Sequence, residues 1–276
     1  MPMFSRTSDA QSPARLALKR LVLPVAALAL FAGATTSATA GRVQLVKSPG
    51  GIEAWLIESH EVPMIDIAVA FKGGDLQDRP GKAGTAMATA YMFNEGGGNL
   101  TSEQFIAARD EIGVSLGADA YAEYVQVNFR TVSEYKDKAF DLLSLSFGSP
   151  RFDQPAFDRG SRELIGSLEN ALSDPSSIGS ARLMKDLFAG HRLAIQGADK
   201  LAEFRTVVLD DVKDYRRRIF ARDNMKIGVA GDITAAELGP LLDKLFAGMP
   251  AKAELLPEAT PARGLPLRQV VDQPIP

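Results

Sequence analysis

Between Met64 and Lys72 apolar residues fall at every second position: Ile65, Ile67, Val69 and Phe71 alternate with Asp66, Ala68 and Ala70. A period of two marks an extended strand with one buried face. Such a strand needs neighbours to pair with and a layer over its apolar side, and the chain supplies both. Residues 43–47 and 52–58 read as strands, with Pro49-Gly50-Gly51 turning between them and His60-Glu61-Val62-Pro63 leading into the strand at 64–72. Residues 114–120 and 124–132 read as a hairpin with Val125, Val127 and Phe129 on one face, and residues 225–230 as a last strand.

Helical patterns fill the intervals. One helix is expected over about 82–93, stopped by Glu95-Gly96-Gly97-Gly98-Asn99. Thr101-Ser102-Glu103-Gln104 reads as a capping box opening a second, to about Ile112. Ser133 is expected to cap a helix over 134–147, and further helices are expected at 154–172, 176–188 and 209–220. Thr234, after Gly231-Asp232-Ile233, is expected to cap one ending near Phe246. Strands, then helices, then a returning strand predict an α+β fold: a largely antiparallel sheet with helices on one face.

Residues 1–40 have a different character. Arg15, Lys19 and Arg20 precede the apolar run 21–32, which contains Pro24, and Ala38-Thr39-Ala40 follows. This predicts a secretory signal peptide cleaved after Ala40, because the run is shorter than the roughly 20 residues that span a bilayer. A periplasmic or secreted protein is expected, with no membrane association after cleavage. The chain has no cysteine, so neither lipidation at the cleavage site nor a disulfide is available. Removing the leader takes away four basic residues and one acidic residue, moving the formal charge from −3 to −6. A mildly acidic chain of this kind excludes nucleic acid as an expected partner. Residues 41–248 hold the regular elements. Residues 249–266 carry four prolines without a period and read as a linker, and 267–276 open a new strand.

In order along the chain stand Gly51-Ile52-Glu53-Ala54-Trp55-Leu56-Ile57-Glu58 leading to Val62-Pro63, then Phe71-Lys72-Gly73-Gly74, then Gly81-Lys82-Ala83-Gly84-Thr85-Ala86. Asp174-Pro175, Gly190-His191, Phe220-Ala221-Arg222-Asp223-Asn224-Met225 and Val229-Ala230-Gly231-Asp232-Ile233-Thr234 follow. This succession resembles the insulinase (pitrilysin) family of zinc peptidases, in particular its shorter bacterial, mitochondrial-processing-peptidase-like members. Active members carry His-x-x-Glu-His on the helix after the Gly-Lys-x-Gly segment: the histidines, one turn apart, bind zinc, and the glutamate activates water. Counting from Gly84 puts those positions at Met87, Ala90 and Tyr91. The third ligand, a glutamate on the later long helix, falls near Ser167, with Glu169 close by. The chain's two histidines are His60, expected on a surface turn, and His191, expected at a helix end where it favours the dipole. The resemblance therefore implies no metal, no cofactor and no peptidase chemistry. Met87 and Ala90 are expected to pack as core residues, and Tyr91 to present its hydroxyl where a ligand would stand.

Other motifs are weaker. Gly113-Val114-Ser115-Leu116-Gly117 fits Gly-x-Ser-x-Gly, but that motif needs a strand followed by a helix, and here a helix precedes a strand. Gly81-Lys82-Ala83-Gly84-Thr85 lacks the first glycine and the hydroxyl residue of a phosphate loop. Arg216-Arg217-Arg218 is expected to be a solvated helix face.

The resemblance implies one lobe of a bilobed molecule that holds peptide between its lobes, with residues 267–276 opening a missing second lobe. It also implies a hetero-oligomer, in which a subunit without the motif supports substrate binding by a zinc-carrying insulinase-family subunit. The alternatives are a stand-alone peptide-binding module, a truncated, non-functional remnant and, only if the chain holds an unrecognised site, an active zinc metalloendopeptidase.

Overall fold

The computed structural model describes residues 42–257. The expected leader and the expected opening of a second lobe lie outside the described residues. Strands β1 (Val43–Lys47), β2 (Glu53–Glu58), β3 (Met64–Lys72), β4 (Ser115–Ala120), β5 (Tyr124–Val132) and β6 (Met225–Gly231) form one sheet in the order β1-β2-β6-β3-β5-β4. Only β2 and β6 run parallel; the other neighbours are antiparallel. The period of two determines which side is covered. Ile67 lies beside Phe129 of β5 and Val229 of β6, and all three point into the core with Leu56, Ile65, Val69, Phe71, Val125, Val127 and Ile227.

The described helices are α1 (Thr85–Met92), α2 (Ser102–Glu111), α3 (Lys136–Gly148), α4 (Gln154–Ala171), α5 (Pro175–Leu187), α6 (Ala198–Phe204), α7 (Leu209–Ile219) and α8 (Ala235–Phe246), of which α1, α3, α7 and α8 close the core on the sheet's covered face. An aromatic cluster joins the layers: Phe147 of α3 meets Phe93 at 4.8 Å and Phe246 of α8 at 4.9 Å between ring centroids, and Phe71 meets Phe220 at 4.6 Å. These rings are fully buried, and each large apolar side chain so placed contributes roughly 1.5–3 kcal/mol from desolvation. Among the described residues no element covers the far side of the sheet. Val43, Leu45, Trp55 and Ile57 stand exposed on it, and the Lys226 ammonium lies 5.7 Å from the Trp55 ring.

The expected capping box at Thr101 is present, and the expected Thr234 cap also forms a capping box. Thr101 accepts from the Gln104 amide while Gln104 accepts from the Thr101 amide, and Thr234 and Glu237 do the same at the start of α8. Ser115 opens β4 opposite Arg130, directly after a helix and a turn, so it is a strand residue and not a nucleophile elbow.

Four local expectations need correction. The first helix starts at Thr85 and not at 82, because Gly84 holds φ 91°, a left-handed conformation that ends the preceding turn. Ser133 does not cap the next helix; it begins a one-turn 3-10 segment that runs into α3 at Lys136. Helix α6, seven residues long, carries too short a pattern to be read from period alone. Of the three arginines only Arg217 faces solvent as expected. Arg218 is buried, donating to the Gln77 carbonyl and Asp214, Arg216 reaches the Phe147 carbonyl, and Arg217 bridges Asp214 and Glu254. A guanidinium carries five donors, enough to tie loop carbonyls to a helix from inside.

Residues 249–257, the described part of the expected linker, form no helix or strand. They are nevertheless tied to the lobe: the Arg222 amide donates to Pro250, the Glu254 amide to Arg218, and the Leu256 amide to the Gln77 side chain.

Candidate functional site

Helix α1 begins under tight control. The Asp78 carboxylate accepts from the Gly84 amide at 2.7 Å and the Ala86 amide at 2.8 Å, satisfying two of the donors that a helix start leaves unpaired. Glu203 of α6 accepts from the Ala83 amide at 2.9 Å. A side chain at Gly84 would drive its Cβ to 2.7 Å from the Phe204 ring, so α6 also limits what can stand there.

From that start, α1 presents two faces. Ala86 and Ala90 lie in the main core beneath the sheet. Ala88 and Met92 lie in a second cluster with Phe152, Phe157, Phe204 and Val212, against which Met87 and Tyr91 pack while staying partly exposed. Met87 and Tyr91, one turn apart, therefore share the face turned toward α4. Ala90 is a core residue as expected, and Met87 is only half so.

The Tyr91 ring lies on Gly160 of α4, where a Cβ would come to 2.4 Å of its edge. Its hydroxyl donates to Glu163 of α4 at 2.9 Å and is also reached by Arg159. Burial, then the Glu163 contact, pushes the Tyr91 hydroxyl pKa up, keeping it a neutral donor. Arg159 pairs with the buried carboxylate of Glu95, and Ser102 at the start of α2 donates to the same carboxylate at 2.5 Å. One polar chain, Glu163, Tyr91, Arg159, Glu95 and Ser102, thus fastens α1, the turn after it, α2 and α4 together.

Zinc does not fit this arrangement. A catalytic site takes about three nitrogen, oxygen or sulfur ligands of good affinity. Met87 offers a thioether, Ala90 offers nothing, and the Tyr91 hydroxyl is engaged. Among the described residues no three His, Asp or Glu side chains are grouped to hold a metal ion. Ser167 is exposed, and Glu169 is paired with Arg205 at 2.5 Å. The α4 carboxylate that meets Tyr91 is Glu163, four residues before the expected position. The pair Arg159 and Glu163, spaced by one turn around Gly160, was the available sequence signal, but nothing local named Tyr91 as its partner.

The histidines sit elsewhere. His60 is on the β2–β3 turn, its two ring nitrogens facing Asp232 at 2.5 Å and Glu58 at 3.0 Å. The two carboxylates lie on opposite sides of the ring, so they hold the imidazole and do not converge on an ion. His191 does not serve the end of α5 as expected. It caps the following 3-10 turn, its Nδ1 accepting from the Leu193 amide at 3.2 Å.

One more feature belongs to the site's surroundings. Among the described residues β4 is an outer strand, paired only with β5, so its other edge presents backbone donors and acceptors.

The class defined by this fold and helix is a peptidase-type α+β lobe without a metal site at its first helix. Residues 54–199 match the family model described as Insulinase (Peptidase family M16), and residues 206–274 match that of the Peptidase M16 inactive domain. The chain belongs to the insulinase family, as a member lacking the zinc motif. It is 28% identical over 176 residues, 64% of this chain and 41% of the relative, to a protein of Helicobacter pylori called "Non-peptidase homolog YmxG". Its fold is similar to that of a peptidase M16 inactive domain from Pseudomonas fluorescens (TM-score 0.71, 23% identity, 78% of this chain and 52% of that one). It is also similar to the first half of the periplasmic protease PqqL from Escherichia coli (TM-score 0.68, 16% identity, 80% and 49%). The chain thus spans about half the length of these relatives or less.

Proposed function

We propose that this chain is a non-catalytic, periplasmic member of the insulinase family that supports or binds peptide substrate for a zinc-carrying partner of the same family. The observation that carries this reading is the state of α1. Met87, Ala90 and Tyr91 stand at the motif positions, yet the helix keeps its seating under the sheet and its contact with α4. Loss of function altogether places no demand on that helix, whereas a binding role requires the lobe to stay folded. The open edge of β4 is the surface suited to an extended peptide, whose backbone would pair with the strand. The name of the Helicobacter relative and the periplasmic location of the Escherichia protein support the reading.

In the same proposal residues 1–40 are the leader, 41–248 the lobe, 249–266 the connection and 267–276 the opening of a second lobe. Co-expression with a His-x-x-Glu-His homologue from the same source tests it. Co-purification of the two chains, with faster peptide cleavage than by the homologue alone, is the expected result. Independent elution and unchanged cleavage would refute the partner role.

A further inference from the structure

The uncovered face of the sheet is not flat, and the strand register accounts for its relief. Ala68 of β3 lies beside Gly228 of β6, with Ala230 and Ala70 at the next positions of that face to either side. These four small residues floor a furrow that runs along the middle of the sheet. Trp55 and Ile57 of β2 stand along one side, 47% and 39% exposed, and Asn128 and Arg130 of β5 stand along the other. The groove has a volume of about 720 Å³. Packing within the lobe does not require a glycine at position 228. A methyl group there would meet no atom within 4 Å, and the pairing of β6 with β2 and β3 continues through it without a bulge. A glycine in an unbroken central strand often marks a place where another body comes close to the backbone.

Elementary geometry selects what fits. The backbone groups of β3 and β6 are engaged with neighbouring strands on both sides, so an extended peptide laid in the furrow would find no partner for its own amides and carbonyls. A flat sheet would rest on Trp55 and leave the floor unfilled. A helix satisfies its backbone internally, and its width of roughly 10–12 Å suits the gap between β2 and β5, three strand spacings of about 4.8 Å. The walls differ, apolar at Trp55 and Ile57 and polar at Asn128 and Arg130, which calls for an amphipathic helix. The ends differ in charge. Lys226, opposite Ala70, stands at one end; Asp66, opposite Ala230 and partly neutralised by Arg130 at 2.6 Å, stands at the other. A helix dipole lies favourably along this axis with its C-terminus at Lys226.

We propose that the furrow over Ala68 and Gly228 is a docking site for an amphipathic helix of another polypeptide, with its apolar stripe on Trp55 and Ile57 and an acidic last turn at Lys226. The site lies on the face of the sheet and not at the β4 edge, so it is a second contact surface beside the peptide site proposed above.

Trp55 is the chain's one tryptophan, so its emission reports on the furrow. The probe is a synthetic alanine–leucine helix of about 18 residues, long enough to hold its fold alone, with leucines on one face, glutamates in the last turn and no tryptophan. Titrated into the purified full chain, it is expected to shift Trp55 emission saturably to shorter wavelength and to shield the ring from iodide. The same peptide with central prolines, which break the helix, is expected to bind at least tenfold more weakly. Gly228→Leu fills the floor and should weaken the helical probe by about the same factor. Lys226→Glu, at an exposed position, should weaken it several-fold, and a probe with lysines in its last turn should recover the loss. No saturable shift with the helical probe, equal binding of the proline form, or indifference to both substitutions would overturn the proposal. Trp55 already shielded in the chain alone would overturn it in favour of the chain's own residues, and shielding that grows with chain concentration in favour of a second copy. The proline probe and Lys226→Glu keep the test decisive even if Gly228→Leu does not fold.

Discussion

The sheet with α3 and α8 and the segment running from α4 to α6 are built by different means. In the first, apolar faces meet directly: Phe71, Phe93, Phe147, Phe220 and Phe246 interlock and are buried. In the second, α4 buries only Ala156, Phe157 and Gly160, α5 buries no residue, and much of the attachment is polar: Tyr91 to Glu163, Arg159 to Glu95, and Lys200 to Asp75. The boundary between the two regions passes through α1, whose Ala90 belongs to the core and whose Tyr91 belongs to the latch. The contrast teaches that the helix can exchange its outward residues without disturbing its inward ones. A scaffold of this kind tolerates loss of metal ligands.

The sharpest way to break the contrast is to truncate one side chain on each side of it. Phe147→Ala should cost about 3–5 kcal/mol in chemical denaturation, because it opens a cavity among packed rings. Leu183→Ala on α5, where the side chain is 52% exposed, should stay within about 0.5 kcal/mol. Comparable losses at both would remove the distinction.

Two glycines on α4 sharpen it further. Gly160→Ala places a methyl group against the Tyr91 ring and should destabilise by about 1–3 kcal/mol. Gly166→Ala meets no atom within 4 Å and should stabilise by about 0.5–1 kcal/mol through helix propensity. Thermal melting of the two variants compares the signs directly, and equal signs would show that the ring contact does not constrain α4.

A smaller effect is expected for Tyr91→Phe, which removes a single hydroxyl from a partly exposed network and should cost about 1 kcal/mol. Glu163→Gln, made in the same background, should then add little, since its donor is already gone.

The smallest expected effect lies on the sheet side, at His60. Asp232 and then Glu58 raise its pKa above the ordinary histidine value. A raised histidine pKa means that its contribution is complete below about 6.5 and fades as pH climbs through the folded-state value. The melting difference between the unsubstituted chain and His60→Gln should accordingly be present in mildly acid buffer and shrink in alkaline buffer. A difference independent of pH would show that the imidazole works through packing and not charge.

Much of the core region was legible because its cues are local. The alternation at 64–72 and 124–132 gave strands with the observed bounds, and the capping box at Thr101 and the cap at Thr234 announced α2 and α8. The latch region was legible only in outline. Long helices α4 and α5 follow from sequence pattern, but the meeting of Tyr91 with Glu163, 72 positions apart, is made by tertiary packing and leaves no local trace. The same holds for Asp78, which caps a helix six residues away, and for Arg218, whose burial contradicts the expectation that a run of arginines faces solvent. The motif positions were located by resemblance, and what occupies their surroundings came from the fold.

The outward face of α1 serves packing and a hydrogen-bonded latch and leaves no ligand set for a metal. Calorimetric titration of zinc into the purified chain, freed of adventitious metal, tests it most directly. No stoichiometric binding is expected, and no change when Tyr91 is replaced by phenylalanine. A one-to-one zinc site that weakens on substitution of Tyr91 or Glu163 would contradict it.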